Sequence, residues 1–167
     1  MSGSSGSSST ANVAQAVAVF DTRSVKGDVV FTNARGGLVI EATFTQLPAG
    51  EHGFHIHRAG DLIGEGCLLA CDHWHEGPAA AHGGPPGGRG QRHTGDLGNI
   101  AMPAGRLALK KEYFLKGFSC VDVLGRSVIV HADPDDLGRG EHADSKTTGH
   151  SGKRIACAVI GRAEGCD

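Results

Sequence analysis

Asp28-Val29-Val30-Phe31-Thr32 and Leu38-Val39-Ile40-Glu41-Ala42-Thr43-Phe44, parted by Gly36-Gly37, set the fold class of this chain. Both runs are rich in β-branched and aromatic residues, which fit a pleated surface, and the glycine pair marks a break between two strands. The same grammar recurs outward from them. Ala16-Val17-Ala18-Val19-Phe20 comes before, and Glu51 to His57 follows the Pro48-Ala49-Gly50 turn. Further strands are expected at Leu97 to Met102, Arg106 to Lys110, Ser127 to His131 and Arg154 to Ile160. No stretch has a convincing amphipathic helical period, and no repeat is apparent. Many short strands with Gly/Pro turns indicate an all-β sandwich or barrel. Two polar stretches interrupt it, 58–94 and 132–152. A loop as long as the first is usually functional or disordered. The histidines inside it favour function, with metal supplying the order that a core cannot.

At 167 residues the chain has the size of one domain with a real core. Its formal net charge is −2, so it carries no basic footprint for nucleic acid or an anionic membrane surface. No apolar run approaches the ~18 residues of a membrane span. Residues 1–12 read as a flexible Ser/Gly-rich tail without the pattern of a secretory signal, and residues 13–167 as the folded domain. Five cysteines, an odd count in a chain without a signal pattern, point away from a secreted disulfide framework, and the missing signal pattern gives the cytoplasm as the expected location. None stands in a C-x-x-C pair, which argues against a cysteine zinc ribbon.

The chemistry lies in histidines. On a strand, residues i and i+2 share a face, so His55 and His57 reach one ion together. His73, His82 and His93 follow, then Asp96, then His131. Six imidazoles and one carboxylate exceed what one ion needs. Imidazole nitrogens suit copper and zinc, whereas calcium and magnesium prefer oxygen.

In their wider context these residues resemble the copper/zinc superoxide dismutases. The resemblance is carried by His55-Ile56-His57, the Cys67…His73…His82-Gly83-Gly84-Pro85 loop, His93-Thr94-Gly95-Asp96-Leu97-Gly98-Asn99, Val130-His131, Asp135-Asp136-Leu137-Gly138 and Gly152-Lys153-Arg154-Ile155-Ala156-Cys157. It runs from about Val13 to Gly161, in the family's order. It implies a Greek-key β-sandwich or barrel of about eight antiparallel strands with two long functional loops. It implies copper on His55, His57, His73 and His131, and zinc on His73, His82, His93 and Asp96, with His73 shared. Four protein ligands close a zinc site as a structural site requires.

The resemblance also assigns supporting roles. Asp135 would accept hydrogen bonds from one ligand of each metal, expected to be His57 and His82. Arg154 would hold superoxide in the channel, with Thr148 on the opposite wall. Cys67 and Cys157 would form a disulfide, a closure that the loop-entropy model values at about 4–5 kcal/mol. Cys71 is a rival for that bridge by its nearness to Cys67, and Cys120 and Cys166 are expected as free thiols. His52 matches a structural histidine. His75, His142 and His150 are expected in solvent, with His75 the nearest competitor for zinc.

The implied activity is dismutation of superoxide to dioxygen and hydrogen peroxide, with His73 as both ligand and proton carrier. The implied partners are a second copy in a homodimer and a copper chaperone. A rival reading is a catalytically silent copper- and zinc-binding or copper-delivery protein with a dismutase-like domain. Such a protein would be marked by loss of a copper ligand or Arg154, or by an added C-x-C, and the sequence shows none of these. The second loop departs from the family's charge pattern. Asp133 and Thr147 stand where lysines are frequent, which predicts weak steering unless Arg139, Lys146 and Lys153 compensate.

Overall fold

The computed structural model describes residues 13–164. The expected tail and the Cys166 thiol lie outside them. Nine strands form two antiparallel sheets: β1 (Gln15–Asp21), β2 (Lys26–Ala34), β3 (Gly37–Gln46), β4 (His52–His57), β5 (Asp96–Ile100), β6 (Leu109–Lys116), β7 (Ser127–His131), β8 (Arg154–Val159) and β9 (Gly161–Arg162). One sheet has the order β6-β3-β2-β1-β9 and the other β5-β4-β7-β8. The pairs β3–β6 and β4–β7 are far apart in sequence, so the connections cross between the sheets.

Strand periodicity explains the packing. In β1 and β3, Ala16, Ala18, Phe20, Ile40, Ala42 and Phe44 alternate with exposed or half-buried neighbours and enter the core. The five-stranded sheet thus has one wet face. In β4 and β7 every residue is buried. Phe54, Ile56, Val128 and Val130 face the core, while the other face of these strands is covered by loops. That covered face carries His55, His57 and His131.

The stretch between β5 and β7 differs from expectation. β6 spans Leu109–Lys116 rather than Arg106 to Lys110. Its core face is only Leu109, Tyr113 and Leu115, and charged residues at 110, 112 and 116 mask the alternation. Two one-turn helices, α1 (Cys120–Val123) and α2 (Ser145–Thr148), were not apparent from periodicity. Four residues are too few to show one. The first is marked by a local capping box between Ser119 and Asp122.

Residues 58–94 hold one 3-10 turn at Leu68–Ala70 and are otherwise irregular. Three kinds of attachment, covalent, backbone and apolar, stand out among those that hold the segment. The Cys67–Cys157 disulfide ties it to β8. The Trp74 backbone N–H donates to the Ile56 carbonyl at 2.8 Å, and the Gly95 N–H to the Trp74 carbonyl at 2.9 Å. The Trp74 side chain is 1% exposed, packs against Phe118, and lies under the Arg126 guanidinium 4.6 Å from the ring centre. An indole so placed anchors the loop to the hydrophobic core. Trp74→Ala is expected to cost about 3–5 kcal/mol in denaturant unfolding of the metal-free protein. A loss under about 1 kcal/mol would show that the loop is held without it.

Candidate metal centre

The strands set the site by direction and register. His55 and His57 leave β4 opposite to Phe54 and Ile56. β7 pairs with β4 through Phe54 and Val130, which brings the end of β7, His131, beside them. β5 places Asp96 across from His55. The loop then returns along β4, with His57 and His73 in an isolated bridge.

Two four-residue groups of ligand atoms result, beside a smaller one of His55, His82 and Asp135. Those of His55, His57, His73 and His131 lie within 4.8 Å of one another, and so do those of His73, His82, His93 and Asp96. His73 belongs to both, as expected from sequence. The free atoms on these rings point to metal. His55 Nδ1, His57 Nε2, His73 Nε2 and His131 Nε2 are buried without a hydrogen-bond partner, and His82 Nδ1 and His93 Nδ1 face only Asp96 Oδ1, at 3.0 and 3.4 Å. An unpaired buried polar group costs about 1–3 kcal/mol, so four together demand a physical cause. A metal ion in the first group would pair them, and one in the second would sit among the nitrogens around Asp96.

The opposite ring nitrogens hold the rings in place. His57 Nδ1 donates to the Cys71 carbonyl at 2.8 Å, His93 Nε2 to Ala80 at 2.9 Å and His131 Nδ1 to Gly152 at 3.2 Å. Each donor must carry the proton, which leaves its ring partner as a lone pair for a metal. His55 Nε2 and His82 Nε2 meet the two oxygens of Asp135, at 2.6 and 2.8 Å. Asp135 therefore links the two groups, but through His55 and not the expected His57. The reason is that the Cys71 carbonyl already occupies the outer nitrogen of His57. Asp135 is itself fixed by the Leu137 N–H at 2.7 Å and by both ends of the Asn99 amide.

Two residues outside the expected set prove essential to this geometry. Asn99 lies in the quoted motif, but its role appears only when β5 meets the second loop. Gly149 has φ +71, and a Cβ there would lie 2.0 Å from Asp135 Oδ1 and 2.5 Å from His82 Nε2. Only glycine lets the loop close over the Asp135 link.

Electrostatics favours ligating forms on one side. Burial, aided by neighbouring imidazoles, drives His55 and His57 well below their ordinary value. Burial likewise pushes His131 down to about 4, and lowers His73 against the pull of Asp96. These rings are neutral near pH 7, so the 2.6 Å contact of His55 with Asp135 is an N–H donor to a carboxylate rather than an ion pair. The zinc-type group differs. Burial opposes the charging of His82, but hydrogen bonds to Asp135 and Asp96 outweigh it and raise it to about 9. The three histidines hold Asp96 far below the carboxylate range despite its burial. In the absence of metal a proton on His82 thus offsets part of the charge of the two buried carboxylates. Zinc would take its place.

A cleft of about 430 Å³ opens beside His73, lined also by Arg58, Asp72, Lys146, Thr148 and Arg154. Arg154 is anchored by the Cys67 and Cys71 carbonyls, both at 2.7 Å from its terminal nitrogens. Thr148 stands in the cleft wall as expected. Of the expected compensating cations only Lys146 lines the cleft, while Arg58 was missed because it follows the first ligand pair rather than lying in the second loop. The Cys67–Cys157 bridge forms, and Cys71 and Cys120 are free thiols. His52 faces the His131 and Pro48 carbonyls, a structural role. His75 is engaged with Pro78 and Thr94 and joins neither ligand group. His142 and His150 stack on each other, with ring centres 3.6 Å apart.

Residues 25–160 match the family model of copper/zinc superoxide dismutase (SODC). The chain is 44% identical over 143 residues to the Cu-Zn superoxide dismutase of Paramecium bursaria Chlorella virus 1, covering 84% of this chain and 74% of that protein. It is 43% identical over 163 residues to the copper chaperone for superoxide dismutase of Rattus norvegicus, covering 96% of this chain and 57% of the chaperone. It thus spans little more than half of the chaperone's length. Among solved structures, the clock protein EA4 matches with a TM-score of 0.79 at 36% identity, over 90% of this chain and 95% of the other. The chain belongs to the copper/zinc superoxide dismutase family, whose metals are copper and zinc.

Two outcomes follow from this geometry. Asp135→Ala removes a shared outer partner, so affinity for both metals should fall by about 10–100-fold in chelator competition. A loss confined to one metal would contradict the link. The metal-free protein should also lose stability as pH falls from about 6.5 towards 4. In that window the unfolded chain protonates His131 while the folded chain does not. His82, raised to about 9, stays charged throughout and does not compensate. A denaturation midpoint that is flat from pH 7.5 to 4.5 would refute the assignment.

Proposed function

We propose that this chain dismutes superoxide, with copper held by His55, His57, His73 and His131 and zinc by His73, His82, His93 and Asp96. The observation that carries this reading is the sharing of His73 between two buried ligand groups, with His73 itself lining a cleft that Arg154 also lines. An all-imidazole group suits a redox-active copper, and three imidazoles with a carboxylate suit a closed zinc site. Copper, when bound, supplies the one-electron couple that oxidises one superoxide to dioxygen and reduces the next to peroxide.

The remaining work falls to the chain's own residues. Arg154 draws the anion in and holds it. Two of its five N–H donors are used by carbonyls at close range, which fixes the guanidinium and leaves donors for superoxide. His73 takes up and returns a proton at Nε2, the nitrogen that faces the copper-type group without a protein partner. Its Nδ1 is meanwhile steered by Asp96 at 2.8 Å. Asp135 keeps the His55 ring turned so that Nδ1 faces inward. Arg58, Lys146 and Arg154 against Asp72 leave the cleft lining positive, which supports steering of an anion.

A second reading is copper delivery, favoured by similarity to the rat chaperone over 96% of this chain. Stopped-flow superoxide decay with copper- and zinc-loaded protein separates the two. Fast decay is expected, with Arg154→Ala about 10–100-fold slower, the value of a charge-assisted hydrogen bond. No decay above free-metal background, with both metals bound, would favour delivery. The rate should fall with ionic strength, and Arg58→Ala should flatten that dependence. The same charges in a non-steering cleft would leave the slope unchanged.

We also infer a homodimer, from an exposed apolar surface. Ile63, Leu68 and Leu69 in the first loop and Val159 on β8 are exposed, and the disulfide holds that loop against β8. This apolar surface supports a homodimer. Equilibrium sedimentation showing only monomer at micromolar concentration would overturn it.

A further inference from the structure

A second cavity, about 420 Å³, opens between residues 81–91 and 137–146. Its charged lining has one sign. Arg89 comes from the first segment and Arg139 and Lys146 from the second, and no carboxylate lines the cavity. The Arg89 and Arg139 side chains make no hydrogen bond or ion pair among the described residues. The Lys146 ammonium donates to the Gly138 carbonyl in the cavity's own wall. The two loops meet closely at its base. Gly138 has φ +72, and a Cβ there would lie 2.2 Å from the His82 carbonyl oxygen.

A concave surface focuses the field of the charges that line it. Cations gathered without a counter-charge repel one another, and a multivalent anion relieves that repulsion where water does not. Guanidinium forks match the oxygens of phosphate in pairs. The chain as a whole is slightly acidic, so the pocket is a local feature and not part of a generally basic surface. Lys146 adds a connection, because it lines both this cavity and the cleft beside Arg154.

We propose that this cavity binds a multivalent oxyanion of the phosphate class, either free phosphate or a small phosphate ester, and that binding draws Lys146 out of the cleft and slows capture of superoxide. The binding part stands alone, and the slowing part rests on the dismutase reading.

The test uses copper- and zinc-loaded protein, with inorganic phosphate and adenosine monophosphate as probes and ionic strength held constant with sodium chloride. Isothermal titration should show saturable binding that weakens about tenfold or more in Arg89→Ala/Arg139→Ala and persists in Arg154→Ala. Tighter binding of the ester than of phosphate would support an organic source, and the reverse would support free phosphate. Equal binding by the double variant and wild type, with loss in Arg154→Ala, would place the anion in the cleft and overturn the site. No heat beyond the chloride control would overturn it as well. Phosphate should also slow superoxide decay more in wild type than in the double variant, and equal slowing would overturn the coupling. Because binding is read as heat, a loaded protein without dismutase activity would count against the dismutase reading and not against the site.

Discussion

Everything in the metal centre depends on one buried carboxylate. Asp135 accepts from His55 Nε2 and His82 Nε2, one ring from each ligand group. A buried charge is tolerated only when it is fully hydrogen-bonded. Here two imidazoles and the Leu137 N–H satisfy it. By holding the proton on the outer nitrogen of both rings, it presents Nδ1 of both towards a metal. The two groups are therefore one unit. His73 joins them on the inside and Asp135 on the outside.

The sandwich makes this link possible by using two faces of the same strands. β4 and β7 send apolar residues into the core and imidazoles to the other side. That second face is polar and is still buried, because 58–94 and the second loop cover it. The covering segments have little secondary structure, so their order must come from specific attachments. Trp74 supplies an apolar anchor and Cys67–Cys157 a covalent one. The same disulfide region offers the Cys67 and Cys71 carbonyls to Arg154. Loop order and cleft chemistry thus share their fixings. Cys71 provides one of them although its backbone has φ 64, where non-glycine residues are uncommon.

The seven candidate ligand residues were legible because imidazoles at i and i+2 on a strand, with more imidazoles spaced along a loop, form a donor set that suits a metal and little else. The resemblance to a known family then divided them between two groups, which spacing alone does not do. The strand pattern was legible wherever the apolar alternation was clean, as in β1 to β3. It failed at β6, where lysines and glutamate flank three core residues. What sequence does not display is which outer nitrogen meets which acceptor. The choice of His55 over His57 for Asp135 follows from the path of the first loop, which puts the Cys71 carbonyl on His57. Gly149, Asn99 and Arg58 were hidden for a similar reason. Each acts on a segment distant in sequence, and a single chain read linearly does not show that meeting.

Relatives of similar identity include a dismutase and a copper chaperone, so kinship alone does not separate catalysis from delivery. The central structural claim comes before that choice: two different metal ions sit side by side and share His73. Anomalous diffraction from crystals of the copper- and zinc-loaded protein, recorded at both absorption edges, tests it most directly. The account predicts one copper peak among His55, His57, His73 and His131, one zinc peak among His73, His82, His93 and Asp96, and density from His73 reaching both. A single peak, or both metals at one position with His73 bound on one side only, would contradict it.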